Sequence, residues 1–188
     1  MGVPQSVTCV DKSNVLRGCQ FFRSIFREIA ESYPKIGAKE AYIDAFTMWL
    51  VRDPEDLDVV VLPNMFGDIA TDLASVLQGG MGMAASANLG DKHMMFEPVH
   101  GSSPKHAGKN RVNPIAMLSS LQLMLENLSL RHDDPLLDKY GNILQQAISQ
   151  HLSSDGPKTY DIGGTGTTSE VGDAIADRVR RLLRNDKA

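Results

Sequence analysis

The chain has 188 residues, of which 22% are charged and 42% hydrophobic, with a formal net charge of −4, so it can bury the core of one sizeable domain or of two partial ones. Its basic residues are scattered, which argues against nucleic acid and membrane surfaces as partners and leaves small molecules as ligands. No apolar run is long enough to cross a bilayer and the first residues lack a signal-peptide pattern, so we expect a cytoplasmic protein whose two cysteines, Cys9 and Cys19, are reduced thiols.

Over the first part of the chain, the sequence pattern predicts strands that alternate with a helix. A β-branched strand at 6–10 leads through an Asp-Lys-Ser-Asn turn into an apolar-periodic helix at 16–30. A second strand is predicted at 41–45. The run VVVL at 59–62 predicts a strand that is buried on both faces, as in parallel sheets. The helix at 16–30 carries one apolar stripe, made of Phe22, Ile25, Phe26 and Ile29.

The middle of the chain predicts a helix followed by a domain boundary. Apolar residues recur at helical spacing over 65–77, and the pair Gly79 and Gly80 ends that segment. The small-residue stretch 79–90 predicts an irregular connection. We therefore place the boundary between two domains after residue 80.

Over the last part of the chain, the sequence pattern predicts mainly helices. Its elements are a strand at 94–96, a helix that opens at Pro114, and helices at 136–152 and 169–184. Proline suits the start of a helix because its missing N–H has no partner there, and Thr167 and Glu170 have the spacing of a capping box. Strands alternating with helices predict an α/β fold. Three or four strands for at least five helices leave its sheet underfilled.

Asp68 and Asp72 lie four residues apart on the predicted helix, so their carboxylates emerge on one face about 6 Å apart at Cβ. For such a pair by itself, a solvated helix face is the simpler interpretation. The alternative is a divalent-cation site, because Mg²⁺ and Mn²⁺ bind to carboxylates together with substrate oxygens and water. The position directly after a buried strand favours the cation site, since α/β proteins bind ligands at that edge.

Two further features allow two interpretations each. Lys12 follows the first strand, where a lysine is usually just exposed, but a lysine beside a carboxylate and metal cluster can act as an acid or base. The loop 97–113 contains Lys105, Lys109 and Arg111 and ends at a helix start, where backbone amides and cations favour phosphate. A structural or solvated loop is the alternative. A Rossmann or P-loop nucleotide site is unsupported, because neither glycine motif occurs.

Five blocks, in order and at family-like spacing, resemble the isopropylmalate/isocitrate/tartrate dehydrogenases. They are DKSNVL from Asp11, YIDAFTMWLVRDP from Tyr42, NMFGDIATD from Asn64, EPVHGSSPKHAGKNRVNP from Glu97 and DIGGTGTTSEVGDAI from Asp161. The resemblance implies a non-Rossmann, two-domain α/β fold, present as a C-terminal portion. Residues 1–80 would be part of the smaller dimerisation and metal-site domain, and residues 81–188 the C-terminal part of the larger cofactor-binding domain.

The implied reaction is metal-dependent oxidative decarboxylation of a 3-substituted malate, of the 3-isopropylmalate or isocitrate type, with hydride transfer to NAD(P). Asp68 and Asp72 match the metal-binding aspartates, for Mg²⁺ or Mn²⁺. Asp44 matches the active-site aspartate that completes the metal site of the neighbouring subunit, in a homodimer with shared active sites. Lys12 matches the general base that crosses the dimer interface. The implied cofactor-binding residues are Asn14, Glu97, His100, Gly101, Ser102, Ser103, Pro104, Lys105, His106, Ala107, Gly108 and Asn113.

The residue after the loop's proline departs from the pattern of the NAD-using relatives. Those relatives have an aspartate there that holds the adenosine ribose hydroxyls, whereas here Pro104 is followed by Lys105 and His106. A carboxylate would repel a 2′-phosphate and a lysine attracts it. We therefore expect NADP to be preferred, with NAD possible.

The five blocks match only the C-terminal half of the family pattern. In the family, the other half supplies the arginines that bind the substrate's carboxylates and the tyrosine that protonates the enol. We therefore expect little or no turnover by this chain alone. The alternative hypothesis is a non-catalytic subunit or truncated gene product that binds nucleotide or forms dimers.

Overall fold

The structure is a computed structural model that describes residues 5–186. Its chain divides between Ala74 and Ser75 into two units, whereas the sequence analysis placed a boundary after residue 80. The roles predicted for the two portions remain predictions. Over the described residues, no helix has the length and the apolar character needed to cross a membrane.

The first unit is built on a parallel sheet of three strands, β1 (Ser6–Asp11), β2 (Gly37–Tyr42) and β3 (Val59–Val61), in the order β2-β1-β3. The central strand β1 is buried along almost its whole length. The prediction that the VVVL strand is buried on both faces was wrong for this chain, because β3 lies at an edge of the sheet and Val59 is 41% exposed. The α/β prediction with a parallel sheet is confirmed.

Three helices accompany this sheet: α1 (Arg17–Glu31), α2 (Ile43–Arg52) and α3 (Asn64–Ser75). The predicted strand at 41–45 was wrong beyond Tyr42, where the chain leaves the extended conformation and α2 begins. Phe46 and Leu50, one turn apart, are the buried residues of α2 and pack into the core. Burial at that helical spacing favours the helix over a continued strand.

The buried face of α1 differs from the predicted apolar stripe. Its buried residues are Cys19 and Arg23, whereas the stripe Phe22, Ile25, Phe26 and Ile29 lines an open apolar groove of about 390 Å³ beside β1 and β3. One of the two buried side chains of α1 is therefore a charged one. Both cysteines are free and buried.

The second unit combines an antiparallel hairpin with three helices. The hairpin is formed by β4 (Ala85–Leu89) and β5 (Met94–Pro98), so the prediction of an irregular connection over 79–90 was wrong in its second half. The helices are α4 (Ile115–His132), α5 (Pro135–Leu152) and α6 (Thr168–Asn185). Their core consists of Ile115, Leu144, Ala147, Ile148, Val171 and Ile175. The predicted capping box of Thr167 and Glu170 is confirmed at the start of α6.

Candidate functional site

Lys12 and Asp44 meet at the carboxyl-terminal edge of the sheet in the first unit. Lys12 follows directly after β1, and Asp44 lies in the first turn of α2, directly after β2. Parallel neighbouring strands end at the same edge, and Lys12 Nζ lies 2.7 Å from Asp44 Oδ1. The structure therefore joins the two residues to which the sequence analysis assigned roles in a neighbouring active site.

The ion pair is accessible to solvent. The Lys12 side chain is 27% exposed and that of Asp44 is 67% exposed. The hydrogen bond from Lys12 lowers the pKa of the Asp44 carboxyl below its ordinary value. Exposed pairs of this kind contribute little to stability.

Asp68 and Asp72 lie on α3, one turn apart and exposed. Asn64 Nδ2 lies 3.5 Å from Asp68 Oδ2, a long contact at the start of the helix. Carboxylate oxygens are the donors that suit Mg²⁺ and Mn²⁺, so the donor chemistry fits such an ion. Within residues 5–186, however, no three His, Cys, Asp or Glu side chains lie close enough to hold a metal. Asp44, Asp68 and Asp72 therefore do not form a complete site within one chain.

In the second unit, the loop after β5 surrounds an open cavity of about 860 Å³. The loop contains a short 3-10 turn at Pro104–His106. The residues of the predicted cofactor set that line the cavity are His100, Gly101, Ser102, Ser103, His106, Ala107, Gly108 and Asn113. Glu97, on β5, and Pro104 and Lys105 are outside this lining, and Asn14 is exposed in the first unit. The size of the cavity is within the range of ligand sites.

Asn113 fixes the end of the loop at the start of α4. The residue is buried; its Oδ1 accepts a hydrogen bond from Ile115 N at 3.0 Å, and its Nδ2 donates one to Asp161 Oδ2 at 3.0 Å. Gly82 passes so close that a Cβ added there would lie 2.6 Å from Asp161 Oδ2. Three separate segments therefore converge on the Asn113 side chain.

A second attachment joins the loop to the start of α6. Thr168 donates from Oγ1 to Val112 O at 2.6 Å and from its backbone N to Asn110 O at 3.0 Å. Asn110 Oδ1 accepts from both the backbone N and the Oγ of Ser169, at 3.1 and 3.0 Å. Asn110 adopts the left-handed conformation, with φ 49°, which asparagine tolerates better than most residues. The loop is thus held at both ends of the segment 110–113.

The start of α4 differs from the expected phosphate site. Ile115 N is already bonded to Asn113 Oδ1, and Ala116 N donates to Gly82 O at 3.0 Å. Two of the amides that the sequence analysis considered for phosphate are therefore engaged within the protein. Recognition of phosphate at this loop would fall to the side chains of Lys105, Lys109 and Arg111, all of which are exposed.

Tyr160 is a residue of the cavity that the sequence analysis missed. Its ring stacks with that of His106 at 5.7 Å between centroids, and the Arg111 guanidinium lies 4.1 Å from its centroid. The missed residues that also line the cavity are Gly79, Gly80, Met81, Gly82, Asn110, Val112, Asp161 and Thr168. Tyr160 lies in the segment KTYDIGGTGT, and the position of that segment directly before a capping box is the signal that marks it as adjacent to a helix start.

The sequence matches the family model of isocitrate/isopropylmalate dehydrogenases over residues 3–175. It is 42% identical over 181 residues to the 3-isopropylmalate/3-methylmalate dehydrogenase of Methanocaldococcus jannaschii, covering 96% of this chain and 52% of that protein. It is 41% identical over 173 residues to the 3-isopropylmalate dehydrogenase of Methanothermobacter thermautotrophicus, covering 92% and 50%. The chain thus spans about half the length of the curated relatives that it matches.

Solved structures show the same relationship. The isocitrate dehydrogenase of Methylococcus capsulatus superposes with a TM-score of 0.86 at 36% identity, covering 94% of this chain and 51% of that chain. The β-decarboxylating dehydrogenase of Thermococcus kodakarensis superposes with a TM-score of 0.80 at 39% identity, covering 97% and 52%. The fold predicted from the resemblance, as a portion of a longer pattern, is confirmed.

Proposed function

The chain belongs to the isocitrate/isopropylmalate dehydrogenase family, and we propose that it supplies the metal carboxylates, the general base and the cofactor loop of a β-decarboxylating dehydrogenase. The substrate would be a 3-substituted malate of the 3-isopropylmalate or isocitrate type, and the electron acceptor NADP, with NAD as the alternative. The observation that carries the proposal is the loop 97–113, which lines an open cavity of about 860 Å³ and is held in place by two attachments.

The proposed metal ligands are Asp68 and Asp72 of one chain and Asp44 of a second copy. Their donor chemistry fits Mg²⁺ or Mn²⁺, and the lack of a three-residue group within residues 5–186 is consistent with a ligand set shared between subunits. A bound cation would favour ionisation of the substrate's hydroxyl and stabilise the enolate charge that decarboxylation leaves. Asp68 and Asp72 are both exposed on one turn of α3.

Lys12 is proposed as the base that takes the proton of the substrate's hydroxyl. Its backbone is held at the strand end, since its carbonyl accepts hydrogen bonds from Val15 N and Leu16 N, while its amino group remains at the surface beside Asp44. In the free chain, Asp44 holds the proposed base in place. To act as a base, Lys12 would first release its ammonium proton to solvent, and the neutral amine would then take the proton of the substrate's hydroxyl.

The cofactor preference rests on charge at the loop. Lys105 and Arg111 are exposed near the cavity, and His106 and Tyr160 present a stacked pair of rings. Cations favour the 2′-phosphate of NADP over the free ribose hydroxyl of NAD. Ile115 N and Ala116 N at the start of α4 are already hydrogen-bonded within the protein, so binding of the 2′-phosphate would fall to the side chains.

The shared site requires a homodimer, and the first unit has a surface suited to one. Met48 and Val51 on α2 and Met65 and Ile69 on α3 are large apolar residues that are at least half exposed. Large apolar side chains exposed on two helices of one unit favour an association site. We assign its partner as a second copy of the chain, because Lys12 and Asp44 are needed by a neighbouring site.

Calorimetric titration of the chain with NADP and then with NAD tests the cofactor part. We expect saturable binding, tighter for NADP, and unchanged binding in Lys12→Met, since Lys12 lies outside the cavity.

Adding the N-terminal half of a relative tests catalysis: Mg²⁺-dependent reduction of NADP with isopropylmalate or isocitrate is expected, and Lys12→Met should abolish it. Binding without any activity in the completed enzyme would favour a non-catalytic nucleotide-binding subunit. Absence of both binding and activity would overturn the proposal.

A further inference from the structure

Arg23 is a buried cation that connects the ends of two neighbouring strands. It lies on the inner face of α1, and its guanidinium forms a two-pronged contact with Asp11, through Nε to Oδ2 at 2.8 Å and Nη2 to Oδ1 at 2.7 Å. The same Nη2 donates to Ala41 O at 3.0 Å. Asp11 is the last residue of β1 and Ala41 is the next-to-last of β2, so one side chain holds both strand ends.

The residues that Arg23 holds at the two strand ends lie within three residues of the two functional candidates in sequence. Lys12 follows Asp11 in sequence, and Tyr42, whose ring centroid lies 5.0 Å from the guanidinium carbon, precedes the helix turn that carries Asp44. Asp11 Oδ1 also accepts a hydrogen bond from Ser13 N at 2.7 Å, which turns the chain immediately after Lys12. Arg23 therefore acts on both sides of the contact between Lys12 Nζ and Asp44 Oδ1.

The contact of Arg23 with Asp11 and Ala41 requires the chemistry of arginine. The Asp11 side chain has no exposed surface, and a buried carboxylate needs charged and hydrogen-bonding partners. Burial by itself disfavours its ionisation, but the hydrogen bonds from Arg23 and Ser13 outweigh this and hold the pKa of Asp11 below its ordinary value. A planar guanidinium can bind both carboxylate oxygens and a backbone carbonyl together, whereas a lysine offers one compact charge.

A purely structural ion pair is the simplest alternative. The surface neighbour Arg27 provides the comparison, because it binds the Glu40 carboxylate through Nε at 2.5 Å and Nη2 at 2.8 Å. Arg23 also reaches Glu40, through Nη1 at 3.3 Å. Arg27 thus shares the helix and a partner with Arg23, and among the described residues its hydrogen bonds go to Glu40.

We propose that Arg23 is a positioning residue, which sets the separation of Lys12 and Asp44 by fixing the ends of β1 and β2. The catalytic meaning of this role rests on the proposed function, whereas the coupling itself is a property of this chain. A change at Arg23 that leaves the fold intact should break the contact between Lys12 and Asp44, although Arg23 touches neither side chain.

The test is NMR of the ¹⁵N-labelled chain, through the Lys12 side-chain ammonium signal and the Ser13 amide. Lys12→Met assigns the ammonium signal, and Arg23→Lys and Arg27→Lys are compared with the parent. We expect Arg23→Lys to lose the ion-paired Lys12 signal and shift the Ser13 amide, while Arg27→Lys leaves both unchanged. A folded Arg23→Lys protein with the parent's Lys12 signal would overturn the proposal.

A second variant covers the case in which Arg23→Lys does not fold. The double variant Asp11→Asn with Arg23→Gln removes both buried charges, so neither is left without a partner, and it also removes the guanidinium from Ala41 O. Loss of the Lys12 signal in this folded variant supports the positioning role, and its retention contradicts it. Since no cofactor or substrate is present, the result is independent of whether the chain binds NADP or supports turnover.

Discussion

Asn113 donates a hydrogen bond from Nδ2 to Asp161 Oδ2 at 3.0 Å, which joins two segments 48 residues apart. Its Oδ1 at the same time accepts from Ile115 N at 3.0 Å. With both ends of the amide engaged, the orientation of Asn113 at the cavity wall is defined by Asp161. An exposed residue of the DIGGTG segment therefore controls the position of a buried residue of the cofactor loop.

The first prediction concerns this bond. Asp161→Ala should speed amide hydrogen exchange over 104–113 by about fivefold, which corresponds to loss of about 1 kcal/mol for one hydrogen bond to a partly solvated carboxylate. Mass-spectrometric exchange of the chain without ligand measures it. Asp155→Ala, at another exposed aspartate of the second unit, is the matched control and should leave the exchange of the loop unchanged. Equal exchange in both variants would mean that Asp161 does not hold the loop.

The second prediction concerns His151, which is fully buried on α5 and has neither ring nitrogen bonded within the described part of the chain. Burial lowers the pKa of His151; the charges of Arg178 and Lys158 act in the same direction, and a backbone contact with Pro157 opposes them. Below about pH 6.5, the His151 imidazole of the unfolded chain therefore takes up a proton, whereas in the folded unit the imidazole stays neutral to lower pH. The free energy of unfolding should fall as the pH drops below that value, by at most about 1.4 kcal/mol per pH unit, until the folded pKa is reached.

Urea titrations followed through NMR signals of α5 and α6 measure this dependence from about pH 5 to about pH 7.5. His151→Phe removes the titrating group and should flatten the pH dependence. His132→Gln, at an exposed histidine of the same unit, should retain it. If His151→Phe keeps the parent's slope, another group is responsible.

The third prediction compares two glycines of the second unit. A Cβ added at Gly164 would overlap the Lys158 carbonyl, whereas one added at Gly172, within α6, would meet nothing within 4 Å. Gly164→Ala should destabilise the chain by about 1–3 kcal/mol through overpacking. Gly172→Ala should stabilise it by up to about 1 kcal/mol, because glycine is a poor helix former. Thermal unfolding measures both, and a Gly164→Ala protein as stable as the parent would contradict the packing of this loop.

Local sequence patterns predicted most elements because each pattern is sufficient by itself. The capping box of Thr167 and Glu170 uses only residues three apart, and β1 and α1 follow from periodicity within one segment. The start of α2 was missed because five residues at 41–45 cannot distinguish a strand from a helix turn; Leu50, farther along, decides it by packing into the core. Likewise β4 was missed because its small residues form a strand only through hydrogen bonding to β5, which its own sequence does not indicate.

The candidate site divides in the same way. Asp68, Asp72 and Lys12 are candidates from local position, and the resemblance assigns roles to them and to Asp44 because each falls within a contiguous block. The residues that position them were not found. In the sequence, Arg23 looks like any other arginine on a helix, and its role becomes visible only when the fold places β1 beside β2. Tyr160 likewise lies at the cavity only because the fold places it beside His106. Long-range contacts of this kind have no local signal.

The last prediction concerns the choice of cofactor in an enzyme completed with the N-terminal half of a relative. Lys105, exposed in the 3-10 turn of the loop, is expected to attract the 2′-phosphate of NADP, and an aspartate there would repel it and could bind the ribose hydroxyls of NAD. Lys105→Asp should therefore shift the ratio of kcat/KM for NADP and NAD toward NAD by about tenfold or more, equivalent to about 1.4 kcal/mol or more. Lys109→Asp makes the same charge change four residues farther along the loop and is the matched control; it should shift the ratio less. An unchanged ratio in Lys105→Asp would remove Lys105 as the selector and leave Arg111, stacked on Tyr160, as the next cation to test.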